Sequence, residues 1–273
     1  MPTIDYRSQT VLITGASSGI GAAFARAFAA RGADLVLVAR REDRLHALAR
    51  ELEQAHPVRV TSLMQDLGSP TAGIDLHDAV VGAGLRVTSL VNNAGFGSFG
   101  PFAEMAPGVA AEEIAVDVTA PVQVTAAFLP DVIEAGDGFV INVASVAAYA
   151  PTPRMAVYGA AKAFVLSFTE SLWAELRPTG VTVFALSPGA TSTEFNSVVG
   201  TDDATAGARM RTPDDVVTTA LRHLDRRHPG PSVVDGVSNR LASTLGRFIS
   251  RRATVALMAR LTDPARRAGA APA

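Results

Sequence analysis

Apolar residues along the chain fall into short, dense runs separated by longer, periodically mixed segments. The runs "TVLIT" (10–14), "DLVLVA" (34–39), "VRVTSLM" (58–64), "VTSLVN" (87–92), "GFVINVAS" (138–145), "VTVFALS" (181–187) and "PSVVD" (231–235) predict seven strands. Several are nearly continuous in Val, Leu and Ile, the pattern of parallel strands covered on both faces. Between them, "GAAFARAFAARG", "EDRLHALARELEQA" and "AFVLSFTESLWAELRPTG" read as helices, with Gly32 and Gly180 where helix-ending glycines belong. This alternation implies right-handed crossovers and an α/β fold: a doubly wound parallel sheet with helices on both faces. No linker or internal repeat interrupts residues 1–236, which read as one domain. Ligands of such sheets bind beyond the carboxyl ends of the strands, so unusual residues are expected there.

Composition narrows the class. The chain has 273 residues, 48% of them hydrophobic and 18% charged, which suits an extensive core and excludes global disorder. A net charge of −2 gives no general pull toward nucleic acid. The absence of cysteine excludes disulfides and thiolate catalysis. The N-terminus lacks a signal-peptide pattern and no uninterrupted apolar run reaches membrane-spanning length, so a soluble, cytoplasmic protein is expected. His46, His56, His77, His223 and His228 show no metal-ligand spacing; no metal is expected, and surface or helix-end roles are assigned to them.

Residues 237–273 break the pattern. Leu241, Leu245, Phe248, Ile249, Val255, Met258 and Leu261 recur at roughly helical spacing, and seven arginines (240, 247, 251, 252, 260, 266, 267) accompany a single acid, Asp263. This predicts a basic amphipathic helical tail with disordered final residues. Such a helix can lie on an anionic membrane or cover the body of the protein; packing on the body is the favoured reading.

"TVLITGASSGIGAAFARAFAARG" places a strand, a glycine-rich turn and a helix in succession. Gly15 and Gly19 permit a tight turn and close approach to phosphate, Gly21 permits close helix packing, and the helix N-terminus offers N–H groups to a pyrophosphate. The second strand ends "VLVARRED", with Arg40 and Arg41 where an acid would read the 2′-hydroxyl of NAD. A guanidinium fork suits a 2′-phosphate, so NADP(H) is favoured over NAD(H). Asp66, in "QDL", is placed to accept from an adenine amino group. Asn92 and Asn93, in "NNAG", can tie loop backbone or meet a ribose.

"TGASSGIG", "NNAG", a serine in "NVASVAA", "YGAAK" thirteen residues later and "SPGATST" occur in this order. Together they closely resemble the short-chain dehydrogenase/reductase family, strongly over residues 8 to about 195. The resemblance implies a Rossmann sheet of seven strands and hydride transfer between a nicotinamide cofactor and a carbonyl or alcohol. It implies Ser145, Tyr158 and Lys162 as the catalytic set. Tyr158 and Lys162, four residues apart, share a helix face. The lysine would lower the phenol's pKa and reach the nicotinamide ribose, while Ser145 would hold the substrate oxygen. It further implies cofactor contacts at Gly15, Ser17, Ser18, Gly19, Ile20, Gly21, Arg40, Arg41, Asp66, Leu67, Asn93, Ala94, Gly95, Tyr158, Lys162, Pro188, Gly189, Thr191 and Thr193. A homodimer or homotetramer is expected by the same analogy, with Trp173 as a packing or subunit-contact residue.

One departure stands out. Where the family usually has an asparagine that completes a tetrad through its main-chain carbonyl, this chain has Asp117. The same carbonyl is present, but an ionised side chain there would stabilise the lysine cation and alter the proton relay. The expected function is therefore an NADP(H)-dependent oxidoreductase with Tyr158 as general acid/base; the alternative is a non-catalytic NADP(H)-binding regulator or scaffold impaired at Asp117. Phe96, Phe99, Phe102, Phe195, Val198 and Val199 lie in loops near the expected site. They point to an apolar small-molecule carbonyl, with Phe96, Phe195 and Ser145 against the substrate.

Overall fold

In the computed structural model, residues 4–195, 199 and 210–263 are described. Seven strands form: β1 Thr10–Thr14, β2 Asp34–Ala39, β3 Val60–Met64, β4 Ser89–Asn92, β5 Phe139–Val143, β6 Thr182–Ser187 and β7 Ser232–Val234. They make one sheet in the order β3-β2-β1-β4-β5-β6-β7, every pair parallel. The order reverses between β1 and β4, which opens a crevice at their carboxyl ends. The helices are α1 Gly19–Ala29, α2 Glu42–Ala55, α3 Ala72–Gly82, α4 Pro107–Ile114, α5 Ala120–Ala135, α6 Ala156–Glu175, α7 Pro213–Leu224, α8 Val237–Leu245 and α9 Arg251–Leu261.

The near-continuous apolar runs are explained by burial on both sheet faces. In β1, Val11 and Ile13 join one core with Phe24, Phe28, Phe139 and Phe184, while Leu12 joins the other with Val36, Leu76 and Phe128. All ten are essentially inaccessible. Several strands stop short of their apolar runs for local reasons. The run 138–145 ends as a strand at Val143, because Ser145 begins a turn of 3₁₀ helix and accepts the Ala147 amide at 3.1 Å.

Three expectations need correction. His223 is neither exposed nor a simple helix-end residue: it is 3% exposed, packs on Phe184 and bonds the Gly230 carbonyl at 3.0 Å. Burial lowers its pKa, so it is a neutral core histidine. The helical run Pro107–Ala135 is long and apolar enough to span a membrane by length and composition. Its apolar face, however, packs inward through Val124 and Phe128, and it carries two fully buried carboxylates, Glu113 and Asp117. Finally, the tail packs on the body only in part. Asn239, Met258 and Thr262 border the main cleft and Arg154 pairs with Asp263 at 3.5 Å. Neither α8 nor α9 buries a residue fully, and Val237, Leu241, Leu245 and Phe248 are all more than half exposed. The tail beyond Asp263, including Arg266, Arg267 and the final residues expected to be disordered, lies outside the described residues.

Trp173 is a packing residue within the chain. Its indole N–H donates to the Pro229 carbonyl at 3.1 Å, and the Arg177 guanidinium lies over its ring.

Candidate active site

A cleft of about 700 Å³ lies across the carboxyl ends of the central strands, at the switch between β1 and β4. One end is built by the turn from β1 into α1. Gly15 and Gly19 there have φ of 66° and 55°, a region that side-chain-bearing residues rarely adopt. Gly21 serves packing, since a Cβ at that position would stand 2.3 Å from the Gly15 carbonyl oxygen. Ser18, at the N-cap of α1, makes no side-chain capping bond, so the first N–H groups of the helix face the cleft without a protein cap.

The "NNAG" segment holds this turn in place. Thr14 Oγ1 accepts the amides of Asn93 and Ala94, both at 3.0 Å, and Asn93 Nδ2 donates to the Thr14 carbonyl at 2.9 Å. Asn92 does not reach the cleft: its amide donates to Thr125 and Asn142 in a buried polar network. Asp66 borders the cleft, one of its oxygens accepting the Gly68 amide at 3.0 Å. Ser17, Ser18, Ile20, Leu67, Ala94, Pro188, Gly189, Thr191 and Thr193 also line it. Arg40 and Arg41 diverge. Arg40 is largely exposed and 3.6 Å from Glu112, whereas Arg41 folds back onto Ser17 and Ser18 at 2.8–3.1 Å.

The other end of the cleft gathers the chemistry. Ser145 follows β5, and Tyr158 and Lys162 lie one turn apart on α6. The Lys162 ammonium is 5.5 Å from the Tyr158 ring centre and 3.4 Å from the Val143 carbonyl. Asp117 completes the group from the far side. It sits in a π-helical turn, Ala115–Thr119, that interrupts the long helix between α4 and α5. Such a turn re-aims the side chains it carries. The Asp117 carboxylate is wholly buried, with Oδ2 at 2.9 Å from Lys162 Nζ and Oδ1 accepting the Phe96 amide at 2.9 Å. Burial raises the Asp117 pKa, while the Lys162 ammonium and the Phe96 amide pull it back down. The side chain therefore meets the lysine directly. Gly95 leaves this pair room: a Cβ there would be 2.9 Å from Lys162 Nζ and 3.1 Å from each Asp117 oxygen, so one of them would have to shift.

Burial works against the charge on Lys162, yet Asp117 foremost, then Tyr158, holds its pKa above the ordinary lysine value. Tyr158 departs from expectation. Lys162 and Ser145 do pull its pKa down, but burial outweighs them, and the charges of Asp117 and Glu113 add to the rise. In the chain by itself the phenol is held above its usual value.

These motifs, on this sheet, are matched by known proteins. The family model for short chain dehydrogenases aligns with residues 9–204. The chain belongs to the short-chain dehydrogenase/reductase family. Among its relatives, sulfoacetaldehyde reductase 2 of Chromohalobacter salexigens is 43% identical over 208 residues, 75% of this chain and 81% of that protein. The structure of a short-chain dehydrogenase from Sphingobium yanoikuyae in complex with NADPH superposes with a TM-score of 0.78 at 38% identity, covering 88% of this chain and 93% of that one. The bulky-bulky ketone specific alcohol dehydrogenase from Comamonas testosteroni gives 0.74 at 30% identity, with 89% and 93% covered. As a member of this family, the protein is an oxidoreductase of the alcohol/carbonyl class.

Of the loop apolar residues, Phe96 and Phe195 line the cleft; the Phe195 ring lies 5.3 Å from that of Tyr158. Phe99 does not line it, and Phe102 is 63% exposed outside it. Val199 is buried, and Val198 lies outside the described residues. Beside Phe195 run Val146, Ala147, Ala150, Thr152, Met155 and Met258. Arg154, at this end, is the one described non-glycine residue with left-handed backbone, φ 69°, and its guanidinium is engaged by Asp263.

Sequence reasoning passed over three groups. Glu113 is fully buried, with Oε2 accepting from Ser98 at 2.6 Å and Oε1 unpartnered. Burial raises its pKa, and it stands four residues before Asp117, a spacing that "EEIAVD" did display. Asn239 packs against Gly189 from the tail. Glu194 bridges Arg41 and Arg44, a contact across 150 residues that no local pattern announces.

Proposed function

We propose that the protein transfers hydride between NADP(H) and a neutral, largely apolar carbonyl or alcohol, with Tyr158 as the proton donor and acceptor. The observation that carries this reading is the convergence of Ser145, Tyr158 and Lys162 at one end of a cleft whose other end is the glycine turn and Arg41. The residues present suit a dinucleotide. The uncapped start of α1 offers N–H groups for a pyrophosphate, and the Arg41 fork already holds a carboxylate, a stand-in for a phosphate. When bound, the nicotinamide supplies or takes up the hydride.

The side chains account for the proton. Reduction leaves negative charge on the substrate oxygen; the Tyr158 hydroxyl gives that oxygen a proton, and in oxidation the phenolate takes it back. Ser145 donates to the same oxygen and fixes it beside Tyr158. Lys162 stabilises the phenolate, and Asp117 holds the ammonium in position while moderating its field. Arg41 supports NADP(H) over NAD(H), and Arg40, turned toward Glu112, contributes less.

Charge at the substrate end supports a neutral substrate. Of the cations that border the cleft, Arg40 and Arg41 lie at the nucleotide end and Lys162 is paired with Asp117. Among the described residues, no further cation lines the cleft beside Phe195 and Met258, and Arg154 is not part of its lining. A sulfonate buried there would lack a counter-ion, which is costly. Similarity to a sulfoacetaldehyde reductase favours a second reading, reduction of that anionic aldehyde. NADPH oxidation by the wild type against neutral aryl and alkyl ketones, aldehydes and sulfoacetaldehyde separates the two. Turnover of neutral substrates with kcat/KM at least ~10-fold above sulfoacetaldehyde is expected. The reverse order overturns the apolar assignment. No turnover of any substrate, with NADPH bound, favours the regulator reading in which the Asp117–Lys162 pair has stalled the relay.

A further inference from the structure

The nucleotide end of the cleft already contains an anion from the chain itself. Glu194, in the loop after β6, places Oε2 at 2.7 Å from Arg41 Nη1 and Oε1 at 2.5 Å from Arg44 Nη1. Arg41 completes its fork on the glycine-turn hydroxyls, with Nε and Nη2 on Ser17 and Nη2 also on Ser18. Two guanidiniums and two hydroxyls thus converge beside the turn, which is the donor set a phosphate monoester requires. Glu194 occupies it. The two arginines hold the Glu194 pKa down at about 2, so the carboxylate is ionised at any working pH.

All three side chains are between 40% and 46% exposed, so the cluster is open to solvent and its ion pairs are exchangeable. The loop is also in contact with both ends of the cleft. Thr193 lies against Gly19, where a Cβ would be 3.1 Å from its methyl group, and Phe195 lies against Tyr158.

Resting on the reading that the cofactor is NADP(H), we propose that Glu194 is an internal competitor of the cofactor's 2′-phosphate. The two anions exchange on Arg41 and Arg44, and Glu194 thereby limits how strongly the protein discriminates NADP(H) from NAD(H). A phosphate carries more charge than a carboxylate and more acceptor oxygens, so it displaces Glu194 when the cofactor binds. The displacement subtracts the Glu194 ion pairs from the phosphate's binding energy. A cofactor without that phosphate leaves the cluster undisturbed. Arg44 becomes a phosphate ligand in this account, a role its place one turn into α2 did not suggest.

Isothermal titration calorimetry on the full chain tests the exchange, with 2′,5′-ADP, 5′-ADP, NADPH and NADH as probes for the wild type and Glu194→Gln. Removing the competitor should tighten 2′,5′-ADP and NADPH about tenfold while 5′-ADP and NADH move by less than about twofold. Arg44→Gln should weaken 2′,5′-ADP. A folded Glu194→Gln protein that binds 2′,5′-ADP no better, or worse, overturns the proposal, because Glu194 would then position Arg41 for the phosphate. An equal gain for all four probes overturns it as well, since that is a general change in surface charge. Glu194→Ser is the second variant if Glu194→Gln melts early, judged by the same criteria. A wild type that prefers NADH refutes the cofactor reading instead; the response of 2′,5′-ADP to Glu194→Gln still decides whether the anions exchange.

Discussion

Replacing Asp117 by asparagine removes one charge at the back of the Ser145–Tyr158–Lys162 cluster and leaves its shape. Asn keeps an oxygen for the Phe96 amide and the same main-chain carbonyl. The effect on Tyr158 follows from two distances. The Lys162 ammonium is 5.5 Å from the phenol ring centre. At an effective dielectric constant of ~20 that attraction favours the phenolate by about 3 kcal/mol. The Asp117 carboxylate stands 2.9 Å from the ammonium. From there it lies at most ~8.4 Å from the ring, and its repulsion of the phenolate returns about 2 kcal/mol. Asp117 therefore offsets part of what Lys162 provides and adds to the rise in the Tyr158 pKa that burial chiefly causes. In Asp117→Asn the Tyr158 pKa should fall, because the carboxylate's repulsion of the phenolate is gone. Alcohol oxidation needs the phenolate, so its rate climbs with pH through this pKa; carbonyl reduction needs the phenol, so its rate declines there. Both limbs should move to lower pH. Profiles of kcat/KM against pH for wild type and variant, in both directions, make the measurement. Limbs that stay in place or move upward would refute the reasoning, the latter because Lys162 would have lost its proton with its counter-ion.

Other expectations follow from single contacts. Gly95→Ala drives a methyl group between Lys162 and Asp117, so kcat should fall on the order of 10²-fold with NADPH binding largely retained, as read by steady-state kinetics and titration of the cofactor. Arg41→Gln should weaken NADPH by about 10-fold or more and leave NADH nearly unchanged, while Arg40→Gln should change either by less than about 3-fold, measured by fluorescence titration. Met258→Ala enlarges the apolar wall contributed by the tail; KM for the best neutral ketone should rise several-fold with little change in kcat, and an unchanged KM would remove the tail from the substrate site.

The sheet was legible because its signal is local and repeated. Each strand is a dense apolar run, and β1 shows why: Val11 and Ile13 face one core and Leu12 the other, so no position in it is free to be polar. The candidate site residues were placed for a related reason, since turn glycines, the "NNAG" contacts and the Tyr158–Lys162 spacing are all short-range. What escaped was built by contacts distant in sequence. Asp117 was visible as an odd residue, but its meeting with Lys162 was not: it sits in a π-helical turn, and Gly95 leaves room beside the pair. Glu194 meets Arg41 and Arg44 across more than 140 residues, and its own neighbours in "TSTEF" say nothing of it. The tail forms helices α8 and α9, yet period alone does not say which apolar side chains find partners; Met258 does, at the cleft, and Phe248 does not bury.

Tyr158 is the hinge of the account, and the chain offers a clean way to isolate it. Phenylalanine in its place keeps the ring against Phe195 and removes only the hydroxyl. The decisive measurement is NADPH oxidation by wild type and Tyr158→Phe with the best neutral ketone, alongside calorimetric NADPH binding by both proteins. The account predicts turnover by the wild type, a loss on the order of 10³-fold or more in the variant, and NADPH affinity within about 3-fold of the wild type. Turnover by Tyr158→Phe comparable to that of the wild type would contradict it.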